Sequence, residues 1–162
     1  MEEDIFYEEQ KFTQKWIFLI LYLLWVLSLV VSLLALLEKK AGFFIAFLPL
    51  LIISVIVLLF KSLKLQTRIT GEGIYYRFFP LERRFRVIKK TDIEKLEVKS
   101  YDPLREYGGW GIRYGKNGWA DSVKGDKGIY ISLVSKKHLL IGTGKPDEVA
   151  LFLRERGYNG VG

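Results

Sequence analysis

The chain contains no cysteine. Disulfides, thiolate metal sites and a cysteine nucleophile are therefore excluded. Histidine is almost as scarce: His138 is the only one in 162 residues. A lone imidazole cannot build a histidine-based metal site, and a serine hydrolase would need it at the reacting centre. Charge is missing from two long stretches, Trp16–Leu37 and Ala41–Phe60, which hold no Asp, Glu, Lys, Arg or His. An ion channel, a proton relay or a coupled transporter would need such groups there. No GxxxxGK[ST] spacing is present, and no RNP-type motif; nucleotide binding through a P-loop and nucleic-acid binding are not expected.

The two uncharged stretches, of 22 and 20 residues, each cover a hydrocarbon core of about 30 Å at ~1.5 Å per residue. They are apolar on every face, unlike the helices of a soluble core. Only Glu38-Lys39-Lys40 separates them, so a tight turn between antiparallel transmembrane helices is expected. Pro49 lies mid-way along the second and predicts a kink. Ser28, Ser32 and Ser54 are placed to pack or hydrogen-bond between the helices. The start of the chain does not resemble a cleaved signal peptide: it is acidic, and the apolar run is too long.

Net charge is +7, unevenly spread. Residues 1–15 carry five acids against Lys11 and Lys15, and are read as an acidic tail, disordered or docked on the basic part. Residues 61–162 carry 21 Lys and Arg against 12 Asp and Glu. Lys11, Lys15, Lys61, Lys64 and Arg68 flank the outer ends of the two spans, against Lys39 and Lys40 in the turn. The positive-inside rule then puts both termini in the cytoplasm, in a multi-pass protein of the cytoplasmic membrane.

Beyond Phe60 the apolar period changes from helix to strand. Leu65, Thr67 and Ile69 alternate with polar residues, Gly71-Glu72-Gly73 turns, and Ile74–Phe79 returns, ended by Pro80. Tyr75, Tyr76, Phe78 and Phe79 are read as core. Further strands are expected at Phe85–Ile88, at Trp110–Tyr114, at Trp119–Val123, and as a hairpin of Ile129–Val134 with His138–Thr143, while Thr91–Leu96 is read as either a short helical turn or the start of a strand through Val98. Pro146, Asp147 and Glu148 open a closing helix, Val149, Phe152 and Leu153 form its apolar stripe, and Gly157 caps it. About seven strands followed by one helix predict a membrane α-helical hairpin plus an α+β soluble domain. The soluble part is expected as a PH-like bent antiparallel β-barrel over 61–162, with a small lipocalin-like barrel or a split sandwich as the competing architecture.

The run Glu106-Tyr107-Gly108-Gly109-Trp110-Gly111-Ile112-Arg113, the turn Lys124–Gly128 and the segment Leu139–Pro146 resemble an uncharacterised family of small bacterial membrane proteins. Its members have two N-terminal spans and a PH-like domain. Where that family often has a Tyr-Asn pair, this chain has Asp121-Ser122. The resemblance implies a fold and a membrane location, and no catalytic activity or cofactor.

Two groups of residues are candidates for function. Tyr107, Gly108, Gly109, Trp110 and Arg113 form either a ligand or partner surface, where glycines admit a backbone and Trp110 stacks, or a barrel bend filled by the tryptophan. Arg83, Arg84, Arg86, Lys89 and Lys90 form either a contact for an anionic surface, with Arg84 and Arg86 sharing a strand face, or a charged edge that blocks strand addition. A hydrolytic set of Asp121, Ser122 and His138 is the weaker alternative. It requires all three within hydrogen-bond reach in one pocket. The favoured function is a non-catalytic membrane-anchored module with a protein partner, and anionic lipid head groups as the other candidate. A subunit assembled into a larger complex through the hairpin is the alternative.

Overall fold

A computed structural model describes residues 5–38 and 42–158. The acids Glu2, Glu3 and Asp4 and the turn residues Lys39 and Lys40 lie outside the described residues. The chain forms two compact units, Phe12–Ser62, and Met1–Lys11 together with Leu63–Gly162.

The first unit is two helices, α1 (Lys15–Leu37) and α2 (Phe43–Ser62). Both are long and apolar enough to cross a membrane. α2 runs through Pro49. Of the three serines, Ser54 bonds between the helices, its Oγ accepting the indole N–H of Trp25 at 2.9 Å; the hydroxyls of Ser28 and Ser32 donate to the Trp25 and Ser28 carbonyls within α1, and Ser32 is fully buried.

The second unit is a mixed α+β domain with nine strands among the described residues: β1 (Phe6–Lys11), β2 (Lys64–Ile69), β3 (Gly73–Phe79), β4 (Arg86–Lys89), β5 (Ile93–Ser100), β6 (Gly111–Gly115), β7 (Gly118–Ser122), β8 (Lys127–Leu133) and β9 (His138–Gly142). Two helices join them, α3 (Pro103–Tyr107) and α4 (Pro146–Glu155). The strands make two separate sheets, ordered β1-β2-β3-β4 and β5-β8-β9-β7-β6.

This corrects the expected barrel in three respects. Among the described residues eight strands, not about seven, lie within 61–162 and β1 adds a ninth from before the hairpin; the sheets do not close on each other; and β7 pairs with β9 in parallel. The break has a local cause. A 3-10 turn at Lys90–Asp92 carries the chain from β4 in one sheet to β5 in the other, so these successive strands never pair.

The strand that sequence alone read as tail is β1. It pairs with β2 through six register positions, from Phe6 opposite Ile69 to Lys11 opposite Lys64. Phe6, Glu8 and Gln10 face inward and Tyr7 and Lys11 outward. The inner acid and the amide N–H of Gln10 find partners across the domain, while Gln10 Oε1 is buried without one among the described residues. Glu8 accepts from Thr143 Oγ1 and from the Gly144 N–H, both at 2.7 Å, and Gln10 donates to the Gly142 carbonyl at 2.6 Å. These bonds tie the inner face of the first sheet to the end of β9.

Between the sheets lie Leu65, Ile69, Ile74 and Phe78 from one side and Leu96, Ile129, Ile131 and Ile141 from the other, all buried. Each such side chain contributes about 1.5–3 kcal/mol by leaving water. Val149 and Leu153 of α4 are buried as well, and Phe152 lies 6.0 Å from the ring of Phe6. Gly157 takes the left-handed conformation that ends α4, with the Tyr158 N–H on the Leu153 carbonyl. Tyr76 and Phe78 occupy the core as read from the sequence. Tyr75 and Phe79 do not: they alternate to the other face, half-buried under cations, with Arg68 over Tyr75 and both Lys64 and Arg77 over Phe79. A strand cannot direct adjacent side chains to one face.

Candidate functional site

The glycine-rich run is built into the fold by its own backbone. Asp102 caps α3 by accepting from the N–H groups of Leu104 and Arg105 at 3.0 Å, and Glu106 accepts from the Asp102 N–H. Gly108, at φ 70°, ends this short helix. Tyr107 is buried edge-on to Tyr101, against Ala120 and Leu140 on the outer face of the second sheet. Trp110 is half-buried, and its indole N–H donates to the Gly125 carbonyl at 2.9 Å, pinning the loop to the β7–β8 turn. Arg113 Nε donates to the Trp110 carbonyl. A side chain at Gly115 would collide with the Glu106 carbonyl and the Tyr107 ring.

The basic cluster divides. Lys90 donates to the Arg156 carbonyl at 2.7 Å and lies over Tyr158, fixing the end of α4. Arg86 sits over the Tyr76 ring, pairs with Glu82 and lies 3.7 Å from Asp121. Arg83, Arg84 and Lys89 are exposed, and their side chains make no ion pair among the described residues. Arg84 precedes β4 in a bend, so the strand alternation that would align it with Arg86 does not reach it.

Asp121, Ser122 and His138 are not brought together. Asp121 and Ser122 are adjacent on β7 and point to opposite faces. Asp121 faces Arg86 across the sheets. His138 is exposed, 3.2 Å from the Ser132 hydroxyl and stacked on Tyr130.

The group that sequence reasoning missed is Asp121 with Arg86, Glu82 and Tyr76. Asp121 has no exposed surface, and neither carboxylate oxygen has a hydrogen-bond partner among the described residues. Burial pushes its carboxyl up to about 6, although Arg86 pulls the other way. Burial also raises the Tyr76 phenol. Beside this group a cleft of about 210 Å³ opens between the sheets, lined by Tyr76, Arg86 and Ile88 on one side and Trp119, His138 and Leu139 on the other. Trp119 is half-exposed and meets Tyr114 edge-on at 5.2 Å. Chemically, the arrangement offers an aromatic wall, a guanidinium and a carboxyl able to take up a proton near neutral pH. No signal in the sequence links Arg86 with Asp121, because their contact is made only when the two sheets face each other.

No family model, curated protein or solved structure matches the chain.

Proposed function

We infer that this protein is a membrane-anchored, non-catalytic binding module whose α+β domain faces the cytoplasm and takes a protein partner. The observation that carries the reading is the place of the hairpin in the fold: α1 and α2 are spliced between β1 and β2, two strands paired over six positions. A chain that leaves the domain at Lys11 must return to it at Lys64 on the same side, which two spans achieve and one cannot. The excess of Lys and Arg beside the outer helix ends supports the cytoplasm as that side. Exposed Tyr114 and Trp119 beside the cleft support a partner surface, since aromatic residues are enriched at interface cores. Kinship with the small bacterial two-span family belongs to the same reading and rests on the Glu106–Arg113 run.

The absence of cysteine makes the test direct. Single cysteines replacing Glu38 and Lys137 are probed with an impermeant maleimide in sealed vesicles of either orientation. Lys137→Cys should react only from the cytoplasmic face and Glu38→Cys only from the other. Reaction of both from one face overturns the two-span reading. A photo-crosslinking residue at Tyr114 should trap one discrete protein in native membranes; with the cysteines reacting as stated, no adduct removes the partner role and leaves the anchor.

A further inference from the structure

The β3–β4 connection, Pro80–Phe85, is short, firmly held, and presents an unusual tip. Glu82 accepts from the Phe78 N–H through its side chain and donates its own N–H to the Phe78 carbonyl at 2.8 Å. Arg77 donates to the Arg83 carbonyl at 2.7 Å and lies 4.3 Å from the centre of the Phe85 ring. Arg86 holds Glu82 from the strand beyond. These bonds use up the loop's inner groups and leave three side chains outward. Leu81 is 57% exposed, and Arg83 and Arg84 are exposed with no ion pair among the described residues.

The register gives this tip its address. Lys11, Lys64 and Phe79 stand opposite one another at one end of the first sheet, and the loop follows Phe79 directly. Three residues separate Lys11 from α1, and Leu63 alone separates Lys64 from α2. One residue spans at most ~3.6 Å, so the chain between Ser62, the last residue of α2, and Lys64 has a contour of at most about 7 Å. That contour is comparable to one head-group layer, about 5–8 Å on each side of the hydrocarbon core. An exposed leucine beside two guanidinium groups without an ion pair among the described residues, on a loop that follows this end of the sheet, has the chemistry of interfacial insertion: an alkyl group suited to the acyl boundary and arginines suited to phosphates.

We propose that the Pro80–Phe85 loop is a second membrane contact, in which Leu81 enters the interface while Arg83 and Arg84 bind the phosphates of anionic lipids in the same leaflet. The proposal rests on the anchoring reading above, and its test separates the two. Full-length protein carrying one environment-sensitive fluorophore, on Leu81→Cys, Val134→Cys or Val30→Cys, is reconstituted into phosphatidylcholine liposomes with and without phosphatidylglycerol. Val134 is 60% exposed on the β8–β9 turn, and Val30 lies on the outer surface of α1. Nitroxide lipids should quench the Val30 label in both compositions. The Leu81 label should shift to the blue and be quenched only with phosphatidylglycerol, and the Val134 label in neither. Each arginine near an anionic surface changes binding roughly fivefold, so Arg83→Ala with Arg84→Ala should lower the docked-to-free ratio about 25-fold. Raising salt to about 0.5 M should act the same way. A quenched Val30 label with an unquenched Leu81 label overturns the loop contact alone. Equal quenching of Leu81 with or without the arginines overturns the anionic-lipid assignment, and equal quenching of Val134 overturns the assignment to this loop. An unquenched Val30 label overturns the anchor itself.

Discussion

Replacing Asp121 by asparagine should stabilise the domain at neutral pH and do little in acid. The carboxyl is moved by burial from 3.8 to about 6. Between those values the folded protein holds a proton that the unfolded chain releases, so stability falls as pH rises through this window and stays low above it. At about 1.36 kcal/mol per pKa unit, the ionised side chain costs about 3 kcal/mol above pH 6. The carboxamide of asparagine fits the same space without a charge, and Arg86 keeps Glu82 as its counter-ion. Urea unfolding in detergent, followed by the fluorescence of Trp110 and Trp119, reads the effect. With a slope of about 1–3 kcal/mol per molar urea, the midpoint at pH 8 should rise by about 1–3 M, and at pH 4 by much less. A destabilised Asp121→Asn variant at pH 8 would show that the pair with Arg86 outweighs burial. An equal gain at both pH values would show that charge is not the cause.

Three further outcomes follow from the same structure. Glu9 is held down to about 2, first by Lys64 and then by Gln66. Its stabilisation is therefore full above pH 4.5 and lost as pH falls towards 2; Glu9→Gln should cost about 1 kcal/mol at pH 7 after solvent screening, and nothing near pH 2, in the same urea titration. Gly118 has φ 95°, and a side chain there would meet the His138 carbonyl, whereas at Gly71 nothing lies within reach. Gly118→Ala should cost about 2–4 kcal/mol in thermal unfolding and Gly71→Ala less than about 1. Trp110→Phe keeps the ring and loses the bond to Gly125; a cost of about 1 kcal/mol and faster amide exchange in residues 108–111 are expected, and unchanged exchange would refute the pinning role.

What sequence reveals here is what local pattern encodes. The helices are legible because between Trp16 and Leu37, and up to Phe60 in the second, no face carries charge. The β2–β3 and β8–β9 hairpins are legible from alternation and turn residues, and α4 from Pro146 and Gly157. β1 is hidden because Glu8 and Gln10 occupy inward positions, and their partners Thr143, Gly144 and Gly142 lie far along the chain. The parallel β7–β9 pairing is hidden because β8 intervenes and carries the chain back before β9 lies down beside β7. α3 has only five residues, too few for a periodic signal. The basic cluster is visible as composition, but its division depends on contacts: Lys90 closes a helix, Arg86 faces a buried acid, and Arg83 and Arg84 make no ion pair among the described residues.

The splicing of α1 and α2 between β1 and β2 also sets an order of events during synthesis. β1 is made first, yet its sole ladder partner among the described residues, β2, emerges only after both helices. At about 5–20 residues per second the ribosome needs roughly 3–10 s to cover that interval. Through this time Phe6 and Tyr7 wait unpaired, and the sheet cannot be completed until the second helix has brought the chain back. On the two-span reading the ladder would therefore act as a check: a polypeptide threaded through the bilayer once instead of twice would leave β1 and β2 in different compartments, and the domain would stay open to proteolysis.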